Sequence, residues 1–111
     1  MRPSIRRHAL LMCLFSSLAW VDVWAEGGAA AGKVLYQQHC ALCHGAQGQG
    51  VPPMFPNLTG KPVETYAAMM QNYRAGHGHK VMIEMAQSLS EQQMADLLAH
   101  IATFESKPAG R

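Results

Sequence analysis

Apolar residues recur at intervals of three or four positions in three stretches of the chain, which predicts three helices. The first predicted helix covers residues 31–43, and the second covers residues 63–75. The second follows Pro62, which suits the first turn of a helix, and precedes Gly76, which suits its end. The spacing in the first helix is carried by Val34, Leu35, Gln38 and Leu42.

The third predicted helix begins at Ser90, where Gln93 completes a capping-box pattern. Leu89 and Met94 have the spacing of the hydrophobic staple that accompanies such a cap. One side of this helix is apolar throughout, which indicates that it faces a core. The apolar positions are Met94, Leu97, Leu98, Ile101 and Phe104.

Two segments lack helical spacing. Residues 45–60 are rich in glycine and proline, which favours a long structured loop, and long ordered loops are usually functional. Residues 77–87 are dense in methionine and are expected to connect the second and third helices irregularly. No stretch predicts a strand, so the expected fold class is all-α.

The N-terminal segment is typical of a secretory signal peptide. Arg2, Arg6 and Arg7 precede an apolar run over residues 9–19, and cleavage is predicted after Ala25. This divides the chain into a signal peptide, residues 1–25, and a single domain, residues 26–111. An uncleaved membrane anchor is the alternative, although the apolar run is shorter than the ~20 residues that a bilayer span needs.

The formal charge of +2 belongs to the uncleaved chain. Cleavage removes three of nine basic residues and one of seven acidic residues, Asp22, which leaves six of each and a net charge of zero. A neutral domain is not expected to bind nucleic acid through electrostatic attraction. Aromatic residues make up only 7% of the chain, so a domain of this size is expected to need help in forming a core.

The segment Cys40-Ala41-Leu42-Cys43-His44 has the C-x-x-C-H spacing of c-type haem attachment. Two thiols on one helical turn can add to the two vinyl groups of the porphyrin, and His44 can then supply the proximal nitrogen to the iron. A thioredoxin-like dithiol is disfavoured because no βαβ pattern surrounds the motif. A disulfide would close a very short loop, and a zinc site would need ligands from a second segment.

The opposite face of the iron needs a second ligand, and methionine or histidine normally fills that position. Met82 and Met85 are the main candidates, because each lies in a segment distant from His44. Met82 is preferred, and Met85 remains open. The other candidates, for which packing or solvation is the simpler explanation, are Met54, Met69, Met70, Met94, His77 and His79.

With these features, the chain resembles the small bacterial monohaem cytochromes of class I, similar to cytochrome c4, c5 and c553 domains. The resemblance covers residues 32–104 and rests on the haem-attachment motif, on the segment Phe55-Pro56-Asn57-Leu58-Thr59-Gly60, and on Met82 seven residues before Leu89. It implies three main helices and irregular loops wrapped around one haem c, bound through Cys40 and Cys43.

The resemblance also implies roles for individual residues. His44 and Met82 would ligate the iron, and the carbonyl of Pro56 would accept a hydrogen bond from the His44 ring. Where the first and last helices cross, Gly32 and Tyr36 would meet Leu97 and His100, with no ligand role for His100. More weakly, it implies that Tyr66, Tyr73 and Arg74 line the haem or bind its propionates.

The expected function is one-electron transfer in the periplasm, without enzymatic activity or a small-molecule substrate. The expected partners are redox proteins: a periplasmic dehydrogenase, a quinol oxidoreductase or a terminal oxidase. The domain is expected to be a monomer. Two alternatives remain, a gas-binding or peroxide-handling haem protein and a haem subunit of a larger dehydrogenase complex.

Overall fold

A computed structural model of the protein describes residues 28–105, which form five helices. In chain order they are α1 (Ala29–His39), α2 (Ala41–His44), α3 (Val63–Arg74), α4 (Lys80–Ser88) and α5 (Glu91–Ala102). Extended pairing within residues 28–105 is confined to an isolated bridge between Val51 and Phe55. The predicted all-α fold class is therefore confirmed, whereas the predicted signal peptide lies outside the described residues.

The first predicted helix is divided in two at Cys40. Helix α1 ends at His39, Cys40 has φ −119° and ψ −38°, and the four-residue helix α2 follows. Val34 of α1 and Leu42 of α2 are 52% and 97% exposed, whereas the buried side of α1 contains Gly32 and Tyr36, the residues that the resemblance placed at the crossing with the last helix. This side is buried because Gly32 allows α1 to lie against the backbone of α5.

Helix α3 has the predicted position, but the prediction of an irregular segment over residues 77–87 was wrong. Helix α4 occupies most of it and begins after His79, whose Nδ1 accepts a hydrogen bond from the Val81 backbone N–H at 3.3 Å. This bond satisfies one of the free N–H groups at the start of the helix. The glycines after α3 obscured this start in the sequence.

Helix α5 begins as predicted. The Ser90 hydroxyl accepts from the Gln93 backbone N–H at 3.1 Å, and the Gln93 side chain accepts from the Ser90 N–H at 2.9 Å. Leu89 and Met94, predicted to form the staple, are both buried in the core. Helix α5 packs on α1 and α3, and α4 packs on α3.

The core is small, and Tyr36 is the one large side chain within residues 28–105 that is fully buried. Its ring lies 5.3 Å from that of His100 and 5.2 Å from that of Phe104, between centroids. None of the helices in this part of the chain has the length and apolar character needed to cross a membrane. The buried apolar residues are Tyr36, Tyr66, Met70, Ala86, Leu89, Met94, Leu97, Ile101 and Phe104.

Candidate functional site

The two cysteines of the motif lie on consecutive parts of the α1–α2 corner. Cys40 is at the break between the helices and Cys43 is on α2; both are half-buried free thiols. Burial, together with the nearby Cys43, raises the pKa of the Cys40 thiol to about 11. The two thiols are not joined to each other.

His44, the last residue of α2, is oriented by a hydrogen bond. Its Nδ1 lies 2.8 Å from the carbonyl oxygen of Pro56, so the ring donates through Nδ1 and presents Nε2 for coordination. This is the contact that the resemblance implied for Pro56. A fixed tautomer and ring orientation are what a permanent axial ligand needs.

The loop after α2 is folded so that Pro56 returns to His44. The Gly50 N–H donates to the His44 carbonyl at 2.7 Å, and Val51 and Phe55 exchange two backbone hydrogen bonds of 2.9 Å. Gly50 has φ +67°, and a Cβ there would lie 2.6 Å from the Phe55 carbonyl oxygen, so this turn requires glycine. The long loop is thus a rigid support for the imidazole.

Tyr36 connects this loop to the core. Its hydroxyl donates to the Gly45 carbonyl at 2.7 Å, while its ring is fully buried between α1 and α5. Burial raises the pKa of Tyr36 above its ordinary value. Gly45, which directly follows His44, is therefore anchored through Tyr36 to the packed helices α1 and α5.

Met82 lies on the side of α4 that faces the core. Met82 and Ala86 are four positions apart, so they share one face of α4, and Leu89 follows the end of the helix. Ala86 and Leu89 are buried, and Met82 is half-buried and packs on the core cluster. Met85 is also half-buried, but it lies about 60° around the helix from Met82.

The other candidate ligands have different surroundings. Met70 and Met94 are buried in the core, and Met54 is 73% exposed. His77 and His79 are exposed, and His79 caps α4. Within residues 28–105, His, Cys, Asp and Glu side chains do not form a group of three or more that could hold a metal ion, so the geometry of a zinc site is not present.

Arg74 has contacts that the sequence did not predict. Its guanidinium donates to the Leu89 carbonyl at 2.7 Å and forms an ion pair with Glu91. The Gln87 side chain donates to the Arg74 carbonyl at 3.3 Å. These contacts join the end of α3 to the corner between α4 and α5. Their long sequence separation explains why no local pattern indicates them.

The donor set fits haem c. Free thiols at Cys40 and Cys43 are available for two thioether bonds, and the His44 ring is already oriented through Nδ1. Cytochromes c use an imidazole and a methionine sulfur as axial ligands. Helix α2 carries the candidate imidazole, His44, and α4 carries the candidate methionine, Met82. Helix α2 packs on α1 and helix α4 packs on α3, so the two proposed ligands come from different helix pairs.

Residues 27–101 match the protein family described as cytochrome c oxidase, cbb3-type, subunit III. The chain belongs to this family of c-type cytochrome domains. The cofactor of the family is covalently bound haem c, and Cys40 and Cys43 have the spacing of its attachment motif. The protein is a c-type cytochrome that carries electrons, and redox proteins are its partners.

Named cytochromes are similar to this chain over most of its length. Cytochrome c-554(548) of Halomonas halodenitrificans is 37% identical over 83 residues, covering 71% of this chain and 99% of the relative. Cytochrome c-554(547) of Halothiobacillus neapolitanus is 40% identical over 90 residues, with the same coverage. Cytochrome c4 of Thiocapsa roseopersicina is 30% identical over 82 residues, but the match covers only 43% of its length.

Proposed function

We propose that the protein is a periplasmic monohaem electron carrier in which His44 and Met82 are the permanent axial ligands and Cys40 and Cys43 bind the haem covalently. The observation that carries this proposal is the 2.8 Å contact between His44 Nδ1 and the Pro56 carbonyl, which orients one ligand. The position of Met82 on the inward face of α4 supports its assignment as the second ligand. The proposal includes no enzymatic activity.

When bound, haem supplies a one-electron couple between ferric and ferrous iron. Each protein residue has a separate task. The Pro56 carbonyl keeps the proton on Nδ1 of His44, so that Nε2 keeps its lone pair for the metal. The Tyr36–Gly45 hydrogen bond limits movement of α2 against the core. A rigid donor set favours electron transfer because little structure has to change when the charge changes.

The surface proposed for partner docking surrounds Cys43. Leu42, between the two cysteines, is 97% exposed, and the following loop exposes Val51 and Met54. Exposed apolar side chains suit a small, transient contact with another redox protein. We propose a periplasmic dehydrogenase, a quinol oxidoreductase or a terminal oxidase as the partner, with the carrier acting as a monomer.

Export is proposed for the same chain. The basic and apolar pattern of residues 1–25 supports a signal peptide that is cleaved after Ala25. The family match begins at residue 27, close to this site. A mass measurement of the secreted protein would test both features, because the proposal requires a chain that begins at Glu26 and carries one haem.

A second candidate function is that of a haem subunit in a larger redox complex. The description of the matching family refers to an oxidase subunit, which favours this alternative. Purification from native membranes and periplasm separates the two. A carrier is recovered alone in the periplasmic fraction, whereas a subunit is recovered with other chains at fixed stoichiometry.

Substitution of the methionines tests the axial ligand. M82A in the purified holoprotein is expected to abolish the far-red charge-transfer band that methionine sulfur gives on ferric haem, and to lower the reduction potential. M85A and M69A are matched controls on α4 and α3, and both are expected to retain the band. A wild-type spectrum in M82A would reject Met82 as the ligand. It would also reopen the choice between Met85 and the gas-binding or peroxide-handling alternative.

A further inference from the structure

The helix that carries Met82 is attached to the rest of the described domain mainly through one neighbouring helix. Of its nine residues, only Ala86 is fully buried, and its main packing partner is α3. Apolar burial is the main source of stability for a short helix, so α4 has little of its own. Polar contacts at its ends therefore have a large influence on where it lies.

The C-terminal end of α4 is followed by a tight corner. Helix α4 ends at Ser88, Leu89 is extended, with φ −86° and ψ 138°, and Ser90 already caps α5. A single residue thus separates the end of one helix from the cap of the next. The direction of α4 relative to α5 depends on how this corner is held.

Arg74 contacts the α4–α5 corner at the residues before and after Ser90. Its guanidinium donates to the Leu89 carbonyl at 2.7 Å and also contacts the Glu91 carboxylate. The Arg74 side chain is 22% exposed, whereas that of Glu91 is 87% exposed. The bond to the partly buried Leu89 carbonyl is therefore better shielded from solvent than the ion pair.

A second hydrogen bond, donated from α4 to Arg74, also joins the end of α3 to the end of α4. The Gln87 side chain, in the last turn of α4, donates to the Arg74 carbonyl at 3.3 Å. The side chain and the backbone of Arg74 thus both engage the end of the same helix. Leu89, whose carbonyl Arg74 binds, follows the last turn of α4 directly, seven positions after Met82.

From these contacts we infer that Arg74 is a positioning residue for the sixth ligand: by binding the α4–α5 corner, it holds α4 so that Met82 stays on the iron. This inference rests on the proposed ligation by Met82. It differs from the expected propionate role of Arg74, because the guanidinium acts here on the protein backbone. Loss of the bond would free α4 to move, and an external ligand would then compete more effectively with Met82 for a bound haem iron.

The test uses holoprotein variants and two independent measurements. R74Q removes the charge and the fork of donors, R74K keeps one charged donor, and E91Q removes the ion pair but leaves the Leu89 bond. Imidazole binding to the ferric protein measures how often the sixth position opens, since apparent affinity follows the open fraction. Native-state hydrogen exchange of the α4 amides measures how readily the helix opens, and this readout does not depend on the spectrum of the haem.

R74Q is expected to bind imidazole about tenfold more tightly than the wild type, with exchange of the α4 amides accelerated about tenfold. R74K is expected to show smaller increases than R74Q in both imidazole affinity and α4 exchange. E91Q is expected to remain within about twofold of the wild type in both measurements. The amides of α1 and α5 are expected to exchange at wild-type rates, which separates a local effect from general loss of stability.

Three results would overturn the inference. Unchanged α4 exchange in R74Q would show that Arg74 does not hold the helix. Faster exchange with unchanged imidazole affinity would show that it holds the helix without positioning the ligand. Equal effects of E91Q and R74Q would assign the role to the exposed ion pair. Failure of the proposed ligation is recognised separately, by a wild-type spectrum in M82A.

Discussion

Gly32 in α1 lies against the main-chain carbonyl of Asp96 in α5, so closely that a Cβ at position 32 would overlap the carbonyl oxygen. The Asp96 side chain reinforces this contact, because its Oδ1 accepts the Gly28 N–H at 2.6 Å and the Gln92 side chain at 2.8 Å. The crossing of the first and last helices is thus set by one residue without a side chain.

G32A is expected to destabilise the holoprotein by about 1–3 kcal/mol, because the added methyl group forces two helix backbones apart. This range is the net expectation, after the gain in helix propensity of about 1 kcal/mol from alanine. Chemical denaturation measures the change. Q37A, at an exposed position of the same helix, is the control and should change stability by less than about 0.5 kcal/mol. Equal stability of G32A and the wild type would contradict the close crossing.

Tyr36 predicts a loss of stability in alkaline solution. Burial raises the pKa of its hydroxyl in the folded protein, so above about pH 10 the unfolded chain releases a proton that the folded chain keeps. The free energy of unfolding should then fall with increasing pH, by up to about 1.4 kcal/mol per pH unit from this group. Y36F cannot ionise, so its stability deficit relative to the wild type should be constant between pH 7 and 9 and should shrink above pH 10. A deficit that stays constant to pH 11 would contradict the assignment.

Local signals in the sequence predicted some elements well. Ser90 and Gln93 form their capping box within one turn. Cys40 and His44 belong to a motif whose spacing directly indicates haem attachment. Such features depend on residues close in sequence. The resemblance to a known family, rather than periodicity, indicated the contact between His44 and Pro56.

Other features depend on contacts that no local pattern contains. The spacing of Val34 and Leu42 does not indicate which side of α1 is buried; the approach of α5 to Gly32 decides this, and only the family resemblance pointed to it. Helix α4 was missed because its cap is a histidine, His79, in a glycine-rich turn. The contact of Arg74 with Leu89 spans 15 residues, with all of α4 between the two, so only the folded chain reveals it.

The small core predicts that the chain does not fold stably without haem. Within the described residues the core consists of nine buried apolar side chains, one of them an alanine, which leaves little apolar burial to offset chain entropy. C40A combined with C43A removes both attachment sites, and the exported product is expected to be largely unfolded or degraded. Circular dichroism during heating checks this, with L42A as a control that keeps both thiols. A cooperative melting transition in the double variant would contradict the prediction.

The exposed side chain of Leu42 predicts a role in docking. It lies between Cys40 and Cys43 and is 97% exposed, so L42D is expected to leave the fold and the spectrum unchanged. When two copies exchange an electron, their docking surfaces meet, and L42D would oppose like charges across a contact that is apolar in the wild type. The self-exchange rate, measured by NMR on mixtures of ferric and ferrous protein, should fall about tenfold at low salt and partly recover at high salt. Q71E adds the same charge at an exposed position of α3 and should change the rate less than twofold. If both variants slowed exchange equally, net charge and not the surface around Leu42 would govern the encounter.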